Sequence, residues 1–298
     1  MNVLLIGATG YIGSAVDEAL RARGHHTTGT ARSEAAKAKL HARGTSSFAA
    51  DAAKPQSLVD AVRNVDAVVY CVNVTDADAF AVDSGALRAI RNGLAGTEKT
   101  FVFMSGSWVY GATGDLPATE DAPLMPPTFV ARRVELERAT IEMTKLGVRA
   151  LIIRPGIVYG RGGGIATMFF ASARERGAAT IVGDGRNRWA TIDVGDLGDL
   201  VALALERGRP GRAYNAASDD RFTVAEIAAA ASRGAGKGGE TATVPARMMG
   251  HFGACLALDQ AISSARARAD LAWAPQAPSI IASLESDAYA SAVLLPSF

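Results

Sequence analysis

Near its start the chain reads Val3-Leu4-Leu5-Ile6-Gly7-Ala8-Thr9-Gly10-Tyr11-Ile12-Gly13, an apolar run that leads directly into three glycines spaced three residues apart. Gly7 permits a tight turn from strand to helix, Gly10 lets a pyrophosphate approach the backbone, and Gly13 lets the helix pack closely on the strand. The free N–H groups of that helix would point at the phosphates. The pattern predicts a dinucleotide site, with a plain strand-to-helix turn as the alternative. We assign to the cofactor site the turn residues Gly7, Thr9, Gly10, Tyr11, Ile12 and Gly13.

The amino-acid composition limits the classes of partner that the protein could bind. The 298 residues are 49% apolar, enough for a large core, and 31 basic residues balance 30 acidic ones. This balance, without a basic cluster, argues against nucleic-acid and membrane partners and favours a small-molecule substrate. Cys71, Cys255 and the four histidines show no ligand spacing, so we expect reduced thiols and no metal. No apolar run could span a bilayer and a strand begins at Asn2, so we expect a cytoplasmic protein.

Strand-like apolar runs alternate with helical patterns along the first half of the chain. The runs are Val3–Ile6, His26–Thr30, Ser46–Ala49, Ala67–Cys71, Thr100–Met104 and Val148–Ile153. This alternation predicts an α/β fold, a doubly wound parallel sheet of the Rossmann type over residues 1–156, with later returns near 190–217. Residues 157–189 and 218–298 would form a smaller, interleaved C-terminal lobe that binds substrate, because ligands lie beyond the carboxyl ends of parallel strands. We expect the longest helix over Thr128–Leu146.

Several motifs outside the glycine turn point to one family. They are Ser105-Gly106-Ser107-Trp108-Val109-Tyr110-Gly111, Arg154-Pro155-Gly156-Ile157-Val158-Tyr159-Gly160, Trp189-Ala190-Thr191-Ile192-Asp193-Val194-Gly195-Asp196-Leu197, and the stretch from Ala265-Arg266 to Leu271-Ala272-Trp273-Ala274-Pro275. With the glycine turn, they resemble the extended short-chain dehydrogenase/reductases, the NAD(P)-dependent epimerase/dehydratase-like family. The likeness covers nearly the whole chain and implies a nicotinamide cofactor.

The second strand bears on which nicotinamide cofactor is bound. A site for NAD usually has a carboxylate at the end of this strand, whereas Thr28–Ser33 has none. Arg32 would form a charge-assisted fork with the 2′-phosphate of NADP, and Ser33 would be a second donor. We therefore favour NADP over NAD, the alternative being that Arg32 is merely solvated. The resemblance assigns further cofactor contacts to Asp51, Ala52, Cys71, Val72, Asn73, Pro155, Gly156 and Val158, although Asp51 could instead cap a helix beginning near Lys54.

The catalytic positions that the resemblance implies are altered. Family members use a serine or threonine to hold the substrate oxygen and a Tyr-x-x-x-Lys pair to move the proton, and no such pair occurs in this chain. The Val109-Tyr110-Gly111 motif places Gly106 in the serine slot, and the residues around Pro127 and Glu137 place Phe129 and Arg133 in the tyrosine and lysine slots. Phe129 cannot donate a proton, and Arg133 would bind the ribose but relay protons poorly. Ser105 or Ser107 could hold a substrate oxygen, or simply bond to strand-end backbone.

Three classes of function fit this pattern. The first is an NADPH-dependent reductase of an enone, imine or ketone that needs no tyrosine acid, with Tyr110, Tyr159, Ser107 or Asp193 as substitute donors. The second is a non-redox lyase, isomerase or cyclase, and the third is a regulator that senses NADP without turnover. We favour the reductase because the cofactor motifs are intact and Arg32 suits NADPH.

Two further expectations concern the substrate lobe and the assembly. The resemblance implies that Arg161, Arg186 and Arg188 lie on loops where relatives acting on sugar nucleotides clasp diphosphate, although surface solvation is the simpler interpretation. A homodimer is left open, because family members often pair through the helix after the fourth strand and the one predicted over Thr128–Leu146.

Overall fold

The structure, a computed structural model, describes residues 1–73 and 78–292. Its strands in chain order are β1 (Asn2–Ile6), β2 (His26–Ala31), β3 (Ser46–Ala49), β4 (Ala67–Tyr70), β5 (Thr100–Met104), β6 (Arg149–Pro155), β7 (Ile157–Gly160), β8 (Gly163–Gly164), β9 (Ala179–Val182), β10 (Thr191–Asp193), β11 (Ala213–Ala216) and β12 (Thr241–Val244). Seven of them form a parallel sheet in the order β11-β6-β5-β4-β1-β2-β3. The doubly wound parallel sheet predicted from the sequence is therefore confirmed.

Helices cover this sheet and build the rest of the molecule. They are α1 (Tyr11–Ala22), α2 (Glu34–Ala42), α3 (Gln56–Arg63), α4 (Ala79–Leu94), α5 (Ala131–Glu142), α6 (Thr167–Arg176), α7 (Val194–Arg207), α8 (Val224–Gly234), α9 (Gly250–Leu256), α10 (Ala265–Leu271), α11 (Ile280–Leu284) and α12 (Asp287–Ala292). Within the described parts of the chain, none of these helices has the length and apolar character needed to cross a membrane.

Alternate residues of each central strand face opposite layers, which explains why the strands are apolar throughout. In β1, Val3 and Leu5 join a core that includes residues of α1 and α7, whereas Leu4 and Ile6 join a core with α3 and α4. All four side chains are at most 1% exposed. A strand covered on both faces has no position where a polar side chain meets water, so it shows no polar alternation.

A second core lies outside the large sheet. Phe169 and Phe170 of α6, Ile181 of β9 and Ile227 of α8 belong to it. Two small sheets, with the strand orders β10-β7-β8 and β12-β9, belong to the same part of the molecule. The lobe limits of 157–189 and 218–298 stay a prediction, and residues 293–298 of that range lie outside the described residues.

The long helix expected over Thr128–Leu146 is wrong in extent. Only Ala131–Glu142 is α-helical, and tighter 3₁₀ turns, Thr128–Val130 and Met143–Leu146, flank it. Helix α4, with 16 residues against 12 in α5, is longer. The tighter turns cannot be read from the spacing of apolar residues, because 3₁₀ and α segments share the same i, i+3 pattern over so short a length.

An ion pair joins helix α7 to the turn after α1. Because of this pair, we expect the stability of the protein to depend on pH. Glu206 accepts from Arg23 at 2.7 and 2.8 Å, and His25 Nε2 lies 3.0 Å from it. Hydrogen bonds from Arg23, aided by His25, lower the pKa of Glu206 from 4.5 to about 2. Because the folded-state pKa is the lower one, the stabilisation is complete above pH 4.5 and is lost as the pH falls toward 2.

Glu206→Gln should therefore destabilise the protein at neutral pH by about 0.5–1 kcal/mol, the upper range for exposed pairs. The difference from the native protein should shrink as the pH falls below 4.5. Urea unfolding across that pH range measures it. Glu34→Gln is the control, since the Glu34 carboxylate is 91% exposed. A difference between Glu206→Gln and the native protein that is independent of pH would contradict this assignment.

Candidate functional site

The glycine turn between β1 and α1 is closed by contacts that leave no room for side chains. Gly7 has φ +93°, and its carbonyl accepts from the Gly10 N–H at 3.0 Å. A Cβ on Gly13 would lie 2.1 Å from the Gly7 carbonyl oxygen. The start of α1 therefore packs directly on the strand end, and its first N–H groups are available to an anion.

The predicted cofactor residues gather around two adjoining cavities. A groove of about 400 Å³ is lined by Gly7, Thr9, Gly10, Arg32, Asp51, Ala52, Cys71, Val72 and Asn73. A larger cavity of about 460 Å³ shares Cys71, Val72 and Asn73 and adds Tyr11, Ile12, Pro155, Gly156 and Val158. Gly13 and Ser33 line neither cavity. Two cavities joined along the ends of β1 and β4, with a glycine turn between them, suit an extended two-part ligand such as a dinucleotide.

At the end of β2 lies a charged side chain that could distinguish NADP from NAD. Arg32 is exposed and borders the groove. Ser33 Oγ accepts from the Ala36 N–H at 3.2 Å, so this serine caps α2, and the hydrogen of its hydroxyl is left for another acceptor. Asp51 Oδ1 accepts from the Ala53 N–H at 3.0 Å, and α3 begins only at Gln56. Asp51 thus does not cap that helix, and it lines the groove.

One cation near this groove was missed at the sequence level. Arg43 Nη1 donates to the Ala8 carbonyl of the glycine turn at 3.4 Å. Arg43 follows α2, eleven residues beyond Arg32, and no motif marked it. Helix α2 runs back along the sheet toward the start of β3, so Arg43 reaches the turn only through its long side chain, a contact that the tertiary fold alone reveals.

Phe129 and Arg133 both line the larger cavity. The Arg133 guanidinium donates to the Met104 carbonyl at 3.0 Å and to Asn73 Oδ1 at 2.8 Å, so it bridges the ends of β5 and β4. Burial lowers the pKa of Arg133 from its ordinary value. Gly106, in the serine slot, has extended backbone, and a Cβ there would meet no atom within 4 Å. A serine would therefore fit at this position.

The structure separates the two serines that the sequence left equivalent. Ser107 Oγ donates to Gln260 Oε1 at 3.0 Å, and Gln260 Nε2 donates back to the Ser107 and Gly111 carbonyls. Ser107 is thus engaged in a buried structural link, which counts against its expected role toward substrate. Ser105 also borders the cavity, and its buried Oγ has no hydrogen-bond partner among the described residues. An unsatisfied buried hydroxyl is costly unless a ligand or water completes it.

The other proposed proton donors are engaged elsewhere. Tyr110 OH donates to Asn215 Oδ1 at 2.7 Å and accepts from Arg154, and Tyr159 OH donates to the Pro278 carbonyl at 2.8 Å. Asp193 Oδ1 accepts from the Gly195 N–H and caps α7. Burial raises the pKa of all three groups. None of them lines the larger cavity, so these three substitutes are not supported.

Tyr11 joins the nucleotide turn to the second lobe. Its hydroxyl donates to the Gly160 carbonyl at 2.8 Å, and a Cβ on Gly163 would lie 2.4 Å from its ring. Burial raises the pKa of Tyr11 well above 10. This phenol therefore closes one side of the cavity, with its hydroxyl bonded to the second lobe.

A groove of about 520 Å³ lies between α4 and α5, the two helices of the expected homodimer. Phe80 and Leu146, each 43% exposed, are among its lining residues. Exposed apolar side chains of this size suit a protein contact, and dimer formation stays a prediction.

Comparisons with known proteins agree with this geometry. Residues 3–217 match the model of the NAD dependent epimerase/dehydratase family. An uncharacterized protein of Schizosaccharomyces pombe is 29% identical over 97% of this chain and 100% of its own length. The NAD(P)H azoreductase of Xenophilus azovorans is 26% identical over 79% of this chain and 74% of its own. A dTDP-glucose 4,6-dehydratase from Streptomyces venezuelae, solved with NAD bound, has a TM-score of 0.82 at 19% identity over 97% of this chain and 96% of its own, a likeness of fold alone.

Proposed function

This chain belongs to the NAD dependent epimerase/dehydratase family, and from that premise we propose that it is an NADPH-dependent reductase of a small organic substrate such as an enone, imine or ketone. The family match and the relatives indicate an enzyme of the NAD(P)-dependent oxidoreductase or epimerase type. The choice of NADPH and of reduction without a tyrosine acid is our inference. A relative named as an NAD(P)H azoreductase supports the redox assignment over a lyase or a sensor.

The observation that carries the proposal is the charge at the end of β2. Arg32 borders the groove, and no carboxylate occurs from Thr28 to Ser33. A guanidinium forms paired, charge-assisted hydrogen bonds with phosphate, whereas an NAD site uses a carboxylate to accept from the ribose hydroxyl. NADPH, which serves chiefly as a reductant, fits this arrangement best.

Each of several residues that line the larger cavity would have a distinct role in such a reduction. A bound nicotinamide would supply the hydride. Arg133, held by Met104 and Asn73, would hold ribose oxygens at the end of β4, and the Phe129 ring would pack against the nicotinamide. Ser105 would donate its unsatisfied hydroxyl to the substrate oxygen. Burial raises the pKa of Cys71 to about 12 and arginine is a poor acid, so we assign the source of the proton to water.

Calorimetry with NADPH and NADH, followed by a single-turnover measurement, tests this function. We expect NADPH to bind at least about tenfold more tightly, as one charge-assisted contact provides. Mixing the NADPH complex with a panel of enones, imines and ketones should then bleach the reduced-nicotinamide absorbance. Tighter binding of NADH, or no bleaching with any member, would overturn the proposal.

Restoring the family residues should increase ketone reduction. In the triple variant Gly106→Ser, Phe129→Tyr and Arg133→Lys, a serine fits at 106 without steric conflict. Since a positioned acid contributes about 10²–10⁴-fold, we expect at least about a tenfold gain in kcat/KM for simple ketones. The same triple variant with Leu at 129 is the control, because it lacks only the phenol. Equal rates for the two variants, with NADPH binding intact, would contradict the slot assignment.

A further inference from the structure

Three aromatic rings form one wall of the larger cavity and identify its substrate class. The Trp108 and Phe252 rings lie 6.0 Å apart edge to face, and the Phe129 and Phe252 rings lie 5.6 Å apart. All three residues line the cavity. We infer that the substrate is a planar aromatic carbonyl compound and not a nucleotide sugar. This inference rests on the proposed reductase function and names its substrate.

The wall is assembled from both lobes. Trp108 follows β5, Phe129 precedes α5, and Phe252 belongs to α9 of the second lobe. Phe252 contacts both other rings, so the second lobe completes this wall. Aromatic rings prefer edge-to-face and offset contacts at these separations, so a flat ring placed among them gains contact without distorting the wall. The cavity volume of about 460 Å³ lies within the range of small-ligand sites.

Polar groups also line this cavity. Arg132 and Arg133 are the charged residues among its described lining, and Ser105 contributes a hydroxyl without a partner among the described residues. Because Met104 and Asn73 already hold Arg133, the Ser105 hydroxyl is the donor that the substrate would use. It suits a ligand that carries an oxygen acceptor. An aromatic body with a carbonyl group combines both requirements.

The arginines that could have clasped a diphosphate are bound to acidic residues. Arg188 donates to Asp259 at 2.6 and 2.9 Å, which lowers the pKa of Asp259, and it also pairs with Asp115 at 3.0 Å. Arg161 pairs with Glu18 at 2.6 Å. Neither arginine lines the aromatic cavity.

Arg186, the third candidate, is 91% exposed and lies 4.0 Å from Asp184. It too lies outside the aromatic cavity. A diphosphate would have to displace carboxylates from Arg161 and Arg188, whereas an uncharged carbonyl compound displaces none. The ion pairs of the second lobe thus count against a nucleotide sugar.

Calorimetry on the protein saturated with NADP⁺ tests the inference without turnover. The probes are benzylideneacetone, a flat aromatic enone, and UDP-glucose at the same concentrations. We expect saturable binding of the enone and at least about tenfold weaker binding of UDP-glucose, the discrimination expected when one ligand lacks the contacts a site is built for. Trp108 fluorescence should change with the enone, and Trp108→Phe should lose that change, because Trp189 and Trp273 do not line the cavity.

Phe252→Ala should weaken enone binding by about tenfold, as loss of a central aromatic anchor does. Phe252→Leu, which keeps apolar bulk, should lose less and guards against a folding defect. Met248→Ala is the matched control, since Met248 is 71% exposed and lies outside the cavity. Tighter binding of UDP-glucose than of the enone, or enone binding unaffected by Phe252→Ala, would overturn the inference. NADPH binding, measured on the same variants before NADP⁺ is added, shows separately whether the proposed function has failed.

Discussion

Replacing Glu137 with alanine should lower the free energy of unfolding by about 3–5 kcal/mol, because it leaves a buried arginine without its counter-charge. Glu137 on α5 is 3% exposed and Arg154 on β6 is 7% exposed. Arg154 Nε donates to Glu137 at 3.1 and 3.2 Å, and Nη2 donates at 2.6 Å. Its Nη1 donates to Tyr110 OH at 2.8 Å and to the Glu120 carbonyl at 3.1 Å. Removing the carboxylate would leave Nε and Nη2 without these acceptors, while Nη1 would keep Tyr110 and Glu120.

Chemical denaturation of Glu137→Ala and Glu135→Ala measures this effect. Glu135 lies on the same helix and is exposed, so its loss should change stability by no more than about 0.5 kcal/mol. Glu137→Gln, which keeps the shape and one acceptor, should fall between the two. A loss of less than about 1 kcal/mol in the free energy of unfolding of Glu137→Ala would be typical of a solvent-exposed ion pair and would contradict the prediction.

The ion pair also matters for the site. Helix α5 begins at Ala131, and Arg133, one turn before Glu137, lies on the same side of it. The pair therefore fixes α5 against β6 at the level where Arg133 reaches Met104 and Asn73. We expect destabilisation at Glu137 to weaken nucleotide binding as well, because Arg133 would lose its fixed position.

The sequence predicted those features that short-range physics determines. The glycine turn could be predicted because a Cβ at Gly7 or Gly13 would come too close to neighbouring backbone atoms, so these positions require glycine. The sheet could be predicted because each strand is buried on both faces and is therefore apolar throughout, as Leu4 and Leu5 of β1 illustrate. Each of these signals lies within a dozen residues of chain.

Features that depend on distant residues could not be predicted. Ser105 and Ser107 look alike in sequence, and only Gln260, more than 150 residues away, distinguishes them. Phe252 meets Trp108 and Phe129 because the second lobe folds over the sheet, and nothing in its local pattern indicates this. Contacts of this kind are decided by packing between lobes, which hydrophobic periodicity does not encode.

Arg32→Ala should weaken binding of NADPH by about 10–100-fold, the range for charge-assisted hydrogen bonds. Binding of NADH should change by less than about twofold, because NADH carries no phosphate at the 2′ position for the guanidinium to hold. Arg32 is exposed at the edge of the groove, so its loss should leave folding intact. Calorimetry with both nucleotides measures the two losses on one preparation.

The matched control is Arg63→Ala, which removes another exposed cation, on α3, that does not line the groove. It separates a specific contact from a general loss of positive charge, and so does raising the salt concentration, which screens the exposed charges. Arg32→Lys keeps the charge but not the planar fork, and it should recover part of the affinity. Equal losses for NADPH and NADH in Arg32→Ala would show that Arg32 does not read the 2′-phosphate. Arg43, which donates to the Ala8 carbonyl of the glycine turn at 3.4 Å, would then be the next cation to test.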